Sequence, residues 1–387
     1  MIQRIYLDNN ASTALDPRVL QKMVECLSTS VGNPSSIHSY GQASRAQLVQ
    51  ARHTVAAFLK AKPEEIVFTS GGTEGINMLI RGMLGKKNGH VISSNVEHAC
   101  IFNTLVSLEN EGTPLTWLKA GLFGSITPQQ VQQAIRNDTR LLVLTAVNSE
   151  TGVKIDLPAI AAIAAKAQIP LIVDGVAWLG KEPLTIPLGV TALCFSAHKI
   201  HGPKGVGFVW IKKGTSFIPL LTGGPQENSK RGGTENLAGI VGLAQAIHLL
   251  SEEAPQSHLR MQILRDRLEK GIQSSLAGVS LNGLGVRAPN VSNLSFEGVE
   301  GETLIALLDR QGIAVSHGSA CASGALEPSR ILTSMGIDTK LAASAIRFSL
   351  SRYTTEAEIE ATIEIVRHLV LQLRGLTKPK NHISLAD

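Results

Sequence analysis

The chain has 387 residues, 43% hydrophobic and 17% charged, with a formal net charge of +5. That length suits two domains with real cores, and the apolar fraction excludes a disordered chain. Aromatics at 4%, with no run of five like charges, argue against a direct nucleic-acid binder; the mild positive balance suits anionic small molecules or an acidic partner equally.

The N-terminus MIQRIYLDNN lacks the apolar core of a secretory signal, and no stretch supplies the ~20 unbroken apolar residues of a membrane helix. A cytoplasmic protein is expected, without a membrane role. None of Cys26, Cys100, Cys194 and Cys321 lies within four residues of another, so no CxxC metal or cluster spacing exists.

From residue 45 to 211, helical patterns at 45–59, 74–83, 127–136 and 158–167 are interleaved with short apolar runs. Those runs lie at 66–69 (IVFT), 90–93 (HVIS), 141–147 (LLVLTAV), 170–173 (PLIV), 192–195 (ALCF) and 207–211 (GFVWI). Nearly all-apolar strands suit a sheet buried on both faces, and the alternation predicts an α/β fold with a mostly parallel, helix-covered sheet. Residues 236–276 read as helical. Strands at 291–296 and 346–350 and helices at 302–311 and 355–373 follow without the earlier rhythm, which predicts a smaller α+β domain. The polar stretch 378–387 reads as a frayed end.

Ligands bind at the carboxyl ends of strands in such sheets. After 66–69 come Ser70-Gly71-Gly72-Thr73-Glu74 and a helix. Gly72 and Thr73 at a helix N-terminus form an anion cradle or an ordinary capped turn. After 90–93 comes His98, at the start of a helix. After 141–147 comes Asn148. After 170–173 comes Asp174, an acid at the mouth of a buried sheet, which needs a partner. After 192–195 come Ser196-Ala197-His198-Lys199-Ile200-His201, then a Gly-Pro turn. A lysine there suits Schiff-base chemistry; no cysteine or carboxylate stands nearby in sequence, so no metal is expected. An anion cradle, a ring contact, an acid and an amine at one face together suit pyridoxal phosphate.

The segments YLDNNAST (6–13), GNPSSIH (32–38), FTSGGTEGIN (68–77), EHACI (97–101), SAHKIHGPKGVG (196–207), RGGTEN (231–236), SHGSACASGALEPSRIL (316–332) and AIRFSLSRYTTEAEI (345–359) are similar to those of NifS/IscS-type cysteine desulfurases. These are class-V aminotransferase-like enzymes of the fold-type-I pyridoxal-phosphate group. The resemblance implies a large domain over 14–255 and a small one built from 1–13 and 256–387. It implies that Lys199 forms the Schiff base, Asp174 meets the pyridinium nitrogen and His98 stacks on the ring. Thr73, Ser196 and His198 resemble phosphate ligands. Thr234 resembles the phosphate ligand that reaches in from a second subunit, so a homodimer is implied. Asn148 resembles the cofactor-side asparagine and Arg347 the arginine that grips the substrate carboxylate. Cys321 resembles the nucleophile, set among small residues that read as a mobile loop.

The implied activity converts L-cysteine to L-alanine, with the sulfur left on Cys321 as a persulfide. An Fe-S scaffold or a sulfur carrier would take it, for cluster assembly or tRNA thiolation. A proton-shuttling role for His98 fits its ordinary pKa near neutrality. One position departs from the family: Ala177 stands where a glutamine donating to the cofactor is expected, three residues after Asp174. Other readings are a selenocysteine lyase, another class-V aminotransferase-like enzyme, or a non-catalytic assembly partner that has kept the fold.

Overall fold

The computed structural model describes residues 4–85, 89–318 and 328–376, with the backbone alone at 254, 255 and 376. Its main sheet has seven strands. In spatial order they are Ile66–Thr69, Gly207–Ile211, Ala192–Ser196, Leu171–Asp174, Thr139–Thr145, His90–Ser94 and Leu115–Leu118. All neighbours are parallel except Gly207–Ile211, which runs antiparallel to the strands on either side. Successive side chains feed opposite faces. Leu142, Leu144 and Val173 join a core with the helices Ser39–Leu59 and Leu157–Ala167. Leu141, Val143 and Ile172 join another with Gly72–Leu84 and Ala99–Asn110. Burial on both faces explains why these strands lack polar alternation.

A second, antiparallel sheet joins Val279–Leu281, Val291–Phe296 and Ala345–Ser349. The helices Gly301–Arg310 and Glu356–Leu376 cover it, around Leu294, Phe296, Phe348, Ile359 and Val366. The N-terminal strand Ile5–Tyr6 pairs in parallel with Ile313–Ala314, so the first residues pack beside this smaller sheet.

The expected break after residue 255 falls inside one continuous helix, Leu237–Ser275. Its first half sends Ile240, Leu243 and Ile247 into the large core. Its second half sends Leu264, Leu268 and Ile272 into the small one. The helix Pro17–Thr29 and the edge strand Leu115–Leu118 lie outside the expected elements. The helix opens on an Asp16 cap, whose carboxylate accepts from Arg18 N–H, with Pro17 in its first turn. The strand is only half-buried and mixes polar with apolar residues, a weak signal. Among the described residues, no helix is long and apolar enough to cross a membrane.

Candidate active site

The carboxyl ends of four parallel-sheet strands open onto a cavity of about 180 Å³. Lys199 ends a single helical turn, Ala197–Lys199, that follows Ser196 directly. Its Nζ donates to the carbonyls of Asn10 at 2.5 Å and Ala11 at 2.8 Å. The N-terminal segment therefore holds this amine at the cavity wall.

Asp174 is the last residue of its strand and is buried. Its Oδ1 accepts the Val176 N–H at 2.9 Å. Burial raises its pKa, while His98 and Lys199 pull the other way. An acid in this position suits a protonated ring nitrogen. His98 caps the helix Ala99–Asn110, its Nδ1 accepting the Cys100 N–H at 3.2 Å.

The helix Gly72–Leu84 begins after Gly71 with no side-chain cap, so its first N–H groups face the adjoining concavity. A Cβ on Gly207 would lie 2.8 Å from Gly71 Cα, so glycine there lets the turn sit against the strand. Gly72, Thr73, Ser196, His198 and Lys204 line this concavity together. His198 Nδ1 is buried without a hydrogen-bond partner among the described residues. Burial, then the charges of Lys199 and Lys204, lower the His198 pKa to about 4, so the ring is neutral at physiological pH. Uncapped N–H groups, a hydroxyl, an orphaned imidazole nitrogen and a lysine suit a phosphate.

Asn148 is buried on the cavity wall, but most of its amide is engaged. Oδ1 accepts the N–H groups of Glu150 and Thr151, and Nδ2 donates to Val96 O. It shapes the loop as much as it faces a ligand. Arg347 is 1% exposed and lines the same cavity. Nη1 donates to Ser149 O at 3.1 Å, and Nε has no partner among the described residues. Thr234 is exposed and lies outside the cavity of its own chain. Cys321 lies outside the described residues.

Two titratable cavity residues were not singled out from the sequence. Lys181 is buried, and its Nζ donates to Lys199 O at 3.2 Å. Burial lowers its pKa to about 7, helped by the charges of Arg352 and Lys199. Its one sequence signal was a lysine directly after the apolar pair Trp178-Leu179 and Gly180. The other is Cys100, two residues past His98. Ligand atoms of His98, Cys100 and Asp174 lie within 4.8 Å of one another, a spacing a metal can use. The Nδ1 lone pair of His98 is already taken by the Cys100 N–H, which leaves only Nε2 for such a use. Ala177 lines the cavity and offers it no donor.

A profile of the aminotransferase class-V family matches residues 5–362. A protein named cysteine desulfurase IscS from Dictyoglomus turgidum is 40% identical over 385 residues, covering 98% of each chain. One named cysteine desulfurase 2 from Trichormus variabilis is 40% identical over 385 residues, covering 97% of this chain and 96% of its own. A solved structure described as a NIFS-like protein superposes with a TM-score of 0.88 at 33% identity, covering 96% of this chain and 100% of that one.

Proposed function

The chain belongs to the aminotransferase class-V family, and from that premise we propose that it is a pyridoxal-phosphate-dependent cysteine desulfurase. The observation that carries this reading is one cavity lined by Asp174, Lys199, His98 and Arg347 beside an anion-suited concavity. The names of the full-length relatives point the same way.

In this reading Gly72, Thr73, Ser196 and His198 hold the cofactor phosphate, Asp174 the ring nitrogen, His98 the ring face and Lys199 the aldehyde carbon. When bound, the cofactor supplies an electron sink. Lys199 would move the α-proton of the bound substrate. Arg347 binds the substrate carboxylate through its planar fork, and Asn148 keeps the loop beside it in place. The Cys321 thiolate attacks the substrate sulfur. A new S–S bond forms, the substrate C–S bond breaks with its electron pair kept on carbon, and protonation yields alanine. Cys321 is left as a persulfide.

The reading includes a homodimer, in which Thr234 completes the phosphate site of the partner. It includes a thiol-bearing acceptor such as an Fe-S scaffold or sulfur carrier, and a cytoplasmic setting. The described cysteines Cys26, Cys100 and Cys194 are unpaired, which suits a reducing compartment.

The test is alanine formation from L-cysteine with a reductant, run beside Cys321→Ala. Alanine from the parent protein and none from the variant supports the reading. Alanine from both overturns the role of Cys321. Alanine from neither overturns the desulfurase assignment.

A further inference from the structure

We propose that Cys100 is a positioning residue for His98, its N–H and thiol together holding the imidazole in the tautomer that carries the proton on Nε2. The argument starts from the helix start. His98 has φ −57° and ψ 150°, the extended backbone of a cap, and its ring folds back over the first turn. The Cys100 N–H points at Nδ1 from 3.2 Å. A backbone N–H pointing at a ring nitrogen requires a lone pair there. Cys100 Sγ lies 3.0 Å from the same nitrogen. Burial pushes the Cys100 thiol up, so it keeps its proton and acts as the second donor. With Nδ1 accepting, a neutral imidazole carries its one hydrogen on Nε2.

The consequence reaches the chemistry expected of His98. A relay uses both ring nitrogens, or exchanges one tautomer for the other. Here a proton on Nδ1 would oppose two donors and uncap the helix Ala99–Asn110. His98 therefore serves as a hydrogen-bond donor through Nε2 and not as the proton shuttle suggested by its ordinary pKa.

The tautomer is independent of the desulfurase reading, whereas its effect on turnover rests on that reading. The full-length protein with cofactor, labelled with ¹⁵N-histidine, gives long-range ¹H–¹⁵N spectra in which the two tautomers differ. His98→Gln identifies the His98 signals by their loss. The parent protein is expected to show an unprotonated Nδ1 and a protonated Nε2. Cys100→Ala keeps the backbone donor and loses the thiol, so the share of the Nδ1–H form should rise several-fold. Cys100→Ser restores a side-chain donor and should return the parent spectrum.

In alanine formation, Cys100→Ala should lower kcat about three- to tenfold, the size of one neutral hydrogen bond, with KM little changed. Cys100→Ser should recover it. A protonated Nδ1 in the parent protein overturns the proposal. So does a Cys100→Ala spectrum identical to the parent spectrum. If the spectra behave as expected and the parent protein makes no alanine, the desulfurase reading fails and the tautomer assignment stands.

Discussion

Arg347 Nη2 donates to Asp8 Oδ1 at 2.8 Å, joining the strand Ala345–Ser349 to the N-terminal segment that also holds Lys199. The ion pair fixes the plane of a buried guanidinium whose Nε has no partner among the described residues. In the proposed reading, the substrate carboxylate would meet a guanidinium already oriented by Asp8. Arg347→Lys keeps the charge and loses the fork. The loss of one charge-assisted hydrogen bond, about 1.5–3 kcal/mol, should raise KM for L-cysteine by about 10- to 100-fold. The expected kcat change is smaller. Steady-state alanine formation checks this, and a variant with unchanged KM would remove Arg347 from substrate binding.

Lys199→Ala should abolish turnover and spare the fold. The Nζ contacts are to carbonyls of residues 10 and 11, which are anchored independently by Asn10 N–H to Ser349 Oγ and Asn10 Nδ2 to Ser149 O. Alanine formation should fall by about 10³-fold or more. The thermal midpoint should move by only a few degrees, and the absorbance of covalently held cofactor should vanish. Residual activity near the parent level would exclude Lys199 as the amine.

The large sheet was legible because burial on both faces leaves an all-apolar code, and the runs at 66–69 and 207–211 coincide with their strands. The strand-end rule then brought His98, Asp174 and Lys199 to one cavity. The edge strand Leu115–Leu118 was hidden because it is only half-buried and Thr116 interrupts its apolar run. Lys181 was hidden because a lysine after Trp178-Leu179 and Gly180 is a weak local signal, and its burial depends on tertiary placement. Asn148 was seen, but its ties to Val96, Glu150 and Thr151 depend on tertiary placement that spacing does not reveal. The division of the helix Leu237–Ser275 between two cores has no composition break to announce it.

Ala177→Gln tests whether the missing donor matters. The side chain would enter the cavity beside Asp174 and Lys199. A donor to the cofactor's phenolic oxygen stabilises negative charge there and lowers the proton affinity of the linked nitrogen. The pH midpoint of the cofactor absorbance should therefore fall, and kcat at neutral pH should rise. A spectrophotometric pH titration reads this directly, and an unmoved midpoint would mean that the new amide does not reach the cofactor.

Lys181 sets a sign for stability against pH. Its pKa is near 7 in the folded chain and near 10.5 as an ordinary lysine. Between those values the unfolded chain binds more protons, so stability rises with pH through that window. Below about pH 7 both states are protonated and the cost of burying the charge is complete. Lys181→Met should stabilise the fold at pH 7 by about 1–3 kcal/mol, with the gain shrinking as pH approaches 10. Urea denaturation at pH 7 and pH 9.5 checks it. His201 adds an acid-side counterpart. Burial, with the charges of Lys181 and Arg352, lowers its pKa from 6.5 to about 4, so its contribution is lost as pH falls between those values.

An ion pair lies behind the anion-suited concavity. Glu227 is buried, and its carboxylate takes both Arg52 Nη1 at 2.8 Å and Nη2 at 2.7 Å. Its Oε2 also accepts the Phe68 N–H at 2.9 Å, while Arg52 Nη1 donates to Ile66 O at 2.7 Å. Arg52 lies over the Phe68 ring, 4.8 Å from its centroid. These bonds clamp the strand Ile66–Thr69 to the helix Ser39–Leu59. That strand runs straight into Gly71 and the helix whose N-terminus faces the anion-suited concavity. Glu227 also holds φ +48°, a backbone state unfavourable for a non-glycine residue, which the clamp helps to maintain. Arg52→Ala strips a buried carboxylate of its partner and should destabilise the fold by about 3–5 kcal/mol. Because the strand end moves with the clamp, cofactor affinity should weaken in the same variant. The double variant Arg52→Met with Glu227→Gln removes both charges and should recover much of the stability. Equilibrium unfolding and cofactor titration measure the two effects. A loss under 1 kcal/mol in Arg52→Ala would show that the pair does not hold the strand.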